Sequence, residues 1–159
     1  MNNTLNHAPK WTLITLEDSE FLPGKNIVNI IQLISHVLNF NFIILDYIYG
    51  AANNGLILSL QEKRNTILKL EDVLKDISRV TQFDWGDFFL FKEYPKHWNN
   101  PKGEQYPYVL SQTDTTIRAI DDQYIYVYTP FEEVINLVKK NYQIESIKTD
   151  FLENLDYPE

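Results

Sequence analysis

The chain contains no cysteine. A disulfide framework and a thiolate metal site are therefore both excluded, and the absence fits a reducing cytosol, where we expect the protein to work. Its five glycines are scattered, and neither GxGxxG nor a Walker sequence occurs. Phosphate-cradling loops of those types are absent, which disfavours a nucleotide-dependent enzyme. There is no GxSxG, and the adjacent Ser35 and His36 face different ways on a helix, so no nucleophile pattern is present. The three histidines, His7, His36 and His97, lack the spacing of HxH or HxxxH, and no metal or other cofactor is expected. The apolar runs are broken by Asn, Gln, Ser, His and Asp, so no membrane-spanning helix is expected. The opening "MNNTLNHAPK" lacks the apolar core of a secretory leader. Residues 1–8 read as a frayed start.

What is present is a core and an excess of acid. Hydrophobic residues make up 44% of 159, enough for a single domain burying roughly 70% of its unfolded surface. The net charge is −8. Residues 1–60 contribute −2, residues 61–110 are balanced, and residues 111–159, with four basic and ten acidic side chains, contribute −6. Such a surface repels nucleic-acid phosphates and anionic headgroups and attracts basic partners. Neither nucleic acid nor a membrane is expected as partner. Acidity alone also keeps a cytosolic protein soluble.

Pattern predicts the elements. "KWTLITLE" suits a first strand and "DSEFLPGKN" a loop. In "NIVNIIQLISHVLNF" the apolar residues Ile27, Ile30, Ile31, Ile34, Val37 and Leu38 recur at helical spacing, with Asn26 as N-cap. "FIILDYIYG" and "LILSLQ" read as a hairpin across "AANNG". "LEDVLKDISRV" is a second helix with Glu71 and Asp72 in its first turn. "TQFDWGD" turns the chain and "DFFLFKE" extends it. A loop over 94–107 follows, then "YVLSQ", "TTIRAID" and "QYIYVYT" as strands. Thr129 as N-cap, Pro130 at N1 and Glu132 as capping-box acid open a third helix. "YQIESIKTD" reads as a last strand and residues 151–159 as an acidic tail. The expected fold is α+β, a mainly antiparallel sheet with about three helices packed on one face.

Candidate sites follow from residue type. Asp84 and Asp87 flank Trp85 and Gly86. A catalytic acid pair needs a fixed separation that this spacing does not supply. An Asx-type turn, with Gly86 at positive φ, explains the pattern simply, and an acid beside an indole suits a hot spot facing a basic protein. His97 and Trp98 lie in the long loop, where functional residues concentrate. Tyr124, Tyr126 and Tyr128 share one strand face, with Ile125 and Val127 on the other. Aromatic platforms for single-stranded nucleic acid sit in basic grooves, whereas Asp121 and Asp122 precede this ladder. A covered, half-buried face accounts for the tyrosines, with partner binding second. Asp121 and Asp122 add charge at the same sheet edge.

No family motif is present. In profile, the chain resembles small acidic bacterial immunity proteins: one cytosolic domain, an acidic surface and exposed aromatics, without nucleotide motif or cysteine. That resemblance implies a protein that neutralises a toxin, often a basic nuclease, by covering its active site. Partner contact is then expected from Asp84, Trp85, Asp87, His97, Trp98, Asp121, Asp122, Tyr124 and Tyr126, and catalysis from none. The alternatives are a small hydrolase-like enzyme with a dispersed site around Asp87, His97 and Tyr126, and a regulatory adaptor.

Overall fold

Alternating apolar residues build one sheet, and helical-period stripes cover it. The computed structural model describes residues 8–17, 23–100 and 105–158. The expected frayed start lies outside them except for Ala8, as do His7 and residues 18–22 of the first loop. Among the described residues the strands are β1 (Trp11–Glu17), β2 (Phe42–Ala51), β3 (Leu68–Lys69), β4 (Gln82–Phe91), β5 (Thr115–Ile120), β6 (Tyr124–Thr129) and β7 (Ser146–Asp150). They lie in the order β3-β2-β4-β5-β6-β1-β7, every pair antiparallel. The α+β class and antiparallel sheet are as expected. Among the described residues the helices number five rather than about three: α1 (Pro23–Leu38), α2 (Leu56–Glu62), α3 (Leu70–Ser78), α4 (Tyr106–Ser111) and α5 (Glu132–Asn141). None is long and apolar enough to cross a membrane.

The larger core lies on one face of the sheet. Ile14, Leu16, Ile43, Leu45, Phe88, Leu90, Ile117, Ile125 and Val127 project from the strands into stripes from α1, α2, α3 and α5. In α1, Ile27, Ile30, Ile31 and Ile34 are fully buried. Each contributes about 2 kcal/mol by leaving water, well above the few tenths by which β-branching weakens a helix.

The opposite face carries a second core, so the helices are not confined to one side. Trp11, Leu13, Ile44, Phe89, Phe91 and Tyr128 meet Val109 and Leu110 of α4, the half-buried Trp98, and Leu152 and Leu155. The C-terminal segment is therefore no loose tail. It forms a 3-10 turn over Leu152–Asn154, and its backbone accepts a hydrogen bond at Asp156 O from the Tyr128 hydroxyl (2.7 Å).

Two expected strands are helices. "LILSLQ" became α2 because Leu56 and Leu60, one turn apart, both enter the main core. Gly55 at φ 70° redirects the chain into it. "YVLSQ" lies in α4, where Val109 and Leu110 seal the second core. Two expected caps also moved. The described part of α1 starts at Pro23, which places Asn26 inside the helix. Thr129 closes β6, where its hydroxyl accepts from Phe131 N (3.2 Å), and the helix begins at Glu132.

Candidate functional site: the uncovered end of the second sheet face

β4 carries the stretch expected to turn. Gln82 to Phe91 is instead one continuous strand, and Gly86 has no positive φ. The nearest atoms a Cβ there would meet belong to the Phe88 and Phe83 rings, at 3.0–3.2 Å. The irregularity sits at Asp84. Phe83 and Phe88 both enter the main core although their spacing is odd, which requires one extra residue in the strand. Tyr49 pairs with Trp85 and Gly50 with Phe83, leaving Asp84 as that residue. Asp84 is exposed and accepts from Gln82 Nε2 (2.7 Å). β2 repeats the device. Leu45 and Ile48 both face the main core, and Tyr47 between them takes φ 48°. A positive φ is costly for a bulky side chain and marks a position held by its surroundings. Here Tyr47 N donates to Asp46 Oδ1 (3.0 Å), and the Arg64 guanidinium lies 4.7 Å from the Tyr47 ring.

Register then assembles two rows across the second face. The outer row is Tyr49, Trp85, Ile120, Tyr124 and Glu17, each paired with the next. The inner row is Asp46, Asp87, Arg118, Tyr126 and Thr15. Beyond the inner row the second core is covered. The outer row is open except at Ile120, which is buried: Tyr49 is 49% exposed, Glu17 is exposed, and Trp85 and Tyr124 are half-buried. Tyr47 of the β2 bulge, 37% exposed, and the half-buried Tyr126 of the inner row flank it. The turn Asp121–Gln123 stands over its end. Asp121 N donates to Asp84 O (3.0 Å) and Asp122 N to Phe83 O (2.7 Å). This brings three exposed acidic residues, Asp84, Asp121 and Asp122, together at the end of the aromatic row. Both turn aspartates have positive φ, 58° and 53°, a conformation Asp tolerates better than most residues.

The inner row is polar, and enclosed at its β2, β4 and β5 positions. Asp87 is 0%, Asp46 2% and Arg118 2% exposed. Asp87 Oδ1 accepts from Arg118 Nε (3.0 Å) and Trp85 Nε1 (3.2 Å). The Arg118 guanidinium lies 4.7 Å from the Trp85 ring centre and 4.4 Å from that of Tyr106, as cation–π pairs do. Asp46 is held by Arg64 and by Asn100 Nδ2 (2.8 Å). Asp87 Oδ2, Arg118 Nη1 and Tyr106 OH are buried without a hydrogen-bond partner among the described residues. Burial pushes the Asp87 carboxyl up to about 6, against the pull of Arg118. Burial alone lowers Arg118, but Tyr106 and Asp87 outweigh it, and the guanidinium is held above its ordinary value. Burial, then Tyr124 and Glu145, raise the Tyr126 phenol.

The expected residues therefore divide. Asp84, Trp85, Asp121, Asp122, Tyr124 and Tyr126 converge on one end of the sheet. Asp87 lies beneath them and can serve a partner only through its neighbours. Trp98 lies elsewhere. Its ring packs on Phe89 and Phe91 at 5.3 and 5.6 Å, and its Nε1 donates to Asn65 Oδ1 (2.7 Å). His97 is exposed on the same loop. Tyr47, Tyr49, Asp46, Arg64 and Arg118 belong to the site and were not singled out from sequence. The odd spacing of core residues in "FIILDYIYG" was the available sign of a bulge. Among the described residues no group of three or more His, Cys, Asp or Glu side chains is placed to hold a metal ion. Comparison with protein-family models, with curated proteins and with solved structures finds no match, so the site is read from its own chemistry.

Proposed function

We propose that the protein is an acidic binding module that docks a basic protein domain on the outer row and its carboxylate rim. Its sharpest form is a bacterial immunity protein that neutralises a basic toxin. One observation carries the reading: Asp84, Asp121 and Asp122 gather around a row of half-open aromatic rings. Aromatic area of this kind supplies hot-spot contacts. Clustered like charge speeds encounter with an opposite surface and rejects acidic ones. The cations within the site are already engaged, Arg118 with Asp87 and Arg64 with Asp46.

A hydrolase-like site around Asp87, His97 and Tyr126 has less support. Asp87 is fully enclosed while His97 is exposed on the loop, and a general base must reach its substrate.

The reading predicts that a toxin with a basic domain is encoded beside this gene, and a basic domain found there is the test partner. Co-expression is expected to protect cells, and the purified pair to associate. Asp84→Lys and Asp121→Lys are each expected to weaken association about tenfold, mainly through the on-rate. Unchanged affinity in both variants, or failure to protect, overturns the proposal.

A further inference from the structure

Trp85 ties the outer row to the buried centre beneath it. Its ring meets Tyr47 edge-on at 6.4 Å on one side and the Arg118 guanidinium on another. Its single polar atom, Nε1, donates to a carboxylate that is itself sealed from solvent. An indole has one donor. Rotating the ring away would cost that donor its partner and leave buried Asp87 with Arg118 Nε as its one remaining side-chain hydrogen bond among the described residues, which is costly in an enclosed place.

The geometry points to Asp87 as the positioning residue of this face: its carboxylate fixes the Trp85 indole, so that proton uptake by Asp87 loosens the indole and weakens docking. The fixing stands on the hydrogen-bond geometry alone, while the consequence for docking rests on the function proposed above.

The surroundings of Asp87 set the direction. From β5, Arg118 donates to it and favours its charge. From β2, buried Asp46 stands directly across the strand pair and opposes that charge, with Arg64 and Asn100 compensating Asp46 itself. From α4, Tyr106 lies against the Arg118 guanidinium. From β6, Tyr126 pairs with Arg118 and Tyr128 adds its phenol, with Tyr157 of the C-terminal segment stacked on Tyr128. The phenols stay neutral over the relevant range, since burial raises Tyr106, Tyr126, Tyr128 and Tyr157 above their ordinary values. The competition is therefore burial and Asp46 against Arg118 and Trp85, with a midpoint near 6. Protonation leaves Arg118 without its counter-charge and replaces a charge-assisted acceptor for Trp85 with a weaker neutral one.

The test uses the full chain with 15N-labelled tryptophan and no partner. The Trp85 indole N–H resonance, identified by its loss in Trp85→Phe, is followed from about pH 8 to about pH 5. It is expected to titrate with a midpoint near 6, while the Trp11 and Trp98 indoles stay still. Asp87→Asn is expected to abolish the titration and Asp87→Glu to restore it in part. A stationary Trp85 signal, or the same titration persisting in Asp87→Asn, overturns the inference. If Asp87→Asn fails to fold, the Asp87 carboxyl carbon resonance decides. Coupling is reciprocal, so Trp85→Phe must move the Asp87 midpoint upward, and an unmoved midpoint refutes the link. A chain whose Trp85 titrates but whose docking ignores Asp84→Lys fails only the function proposed above. A silent Trp85 fails only the positioning role.

Discussion

Arg118 is the residue on which the buried centre depends. Its guanidinium satisfies Asp87, and its carbon and nitrogen plane supports two rings. Arg118→Ala strands a charge in a closed interior, and breaking a buried pair in this way costs about 3–5 kcal/mol. Urea denaturation at neutral pH should show the loss, and the same measurement near pH 5 should show less of it. The sign follows from Asp87. Its folded value, about 6, lies above the ordinary 3.8. Between the two the folded chain holds more protons than the unfolded one, so this group favours folding as pH falls. Its contribution is complete below 3.8 and is lost as pH rises through about 6. Once protonated, Asp87 no longer needs a cation. The individual site residues were partly legible in the sequence. Asp84, Trp85, Asp121 and Asp122 stand out because acid and ring lie within a few residues of each other. Asp87 stands out in the same way, but the row that joins it to Asp46 and Arg118 did not, because it exists only once β2, β4 and β5 adopt their register, and the pairing partners lie far apart along the chain.

At the scale of elements, the paired bulges of β2 and β4 shape the uncovered end of the sheet. Gly50 sits where they meet. A Cβ there would stand 1.8 Å from Gln82 O, a backbone atom that cannot yield as a flexible side chain does. Gly50→Ala must push β2 from β4 at the rim. Overpacking of this kind costs about 1–3 kcal/mol, and thermal unfolding should report it, with loss of the Tyr47 and Trp85 ring contact in NMR spectra. Long periodic elements were legible for a physical reason. α1, α3 and α5 repeat their apolar spacing over two turns or more, β6 alternates tyrosine with Ile125 and Val127, and β1 and β5 are β-rich runs without strict alternation. α2 and α4 are too short for a period to declare itself. Their identity came from outside, from cores that needed Leu56 with Leu60 and Val109 with Leu110. The bulges escaped for the same reason: one extra residue changes the facing of a strand without altering its composition.

For the molecule as a whole, the acid excess is unevenly used. The last 49 residues hold most of the net charge, and their turn at Asp121 and Asp122 joins Asp84 of β4. Association driven by such a surface should be sensitive to salt. Raising ionic strength from low to several times physiological shrinks the Debye length from tens of ångströms to a few. Stopped-flow association with the basic domain should slow at least about tenfold, with dissociation little changed. β7 completes the picture from the far margin. Among the described residues it pairs with β1 alone, and Ser146 to Thr149 are exposed. Its outward backbone groups could recruit a further chain and let copies accrete laterally into aggregates. Lys148 stands in the middle of that strand, its ammonium donating to Asn154 O. Two copies joining antiparallel about this residue would set ammonium against ammonium. That one ammonium at mid-strand is expected to discourage lateral polymerisation.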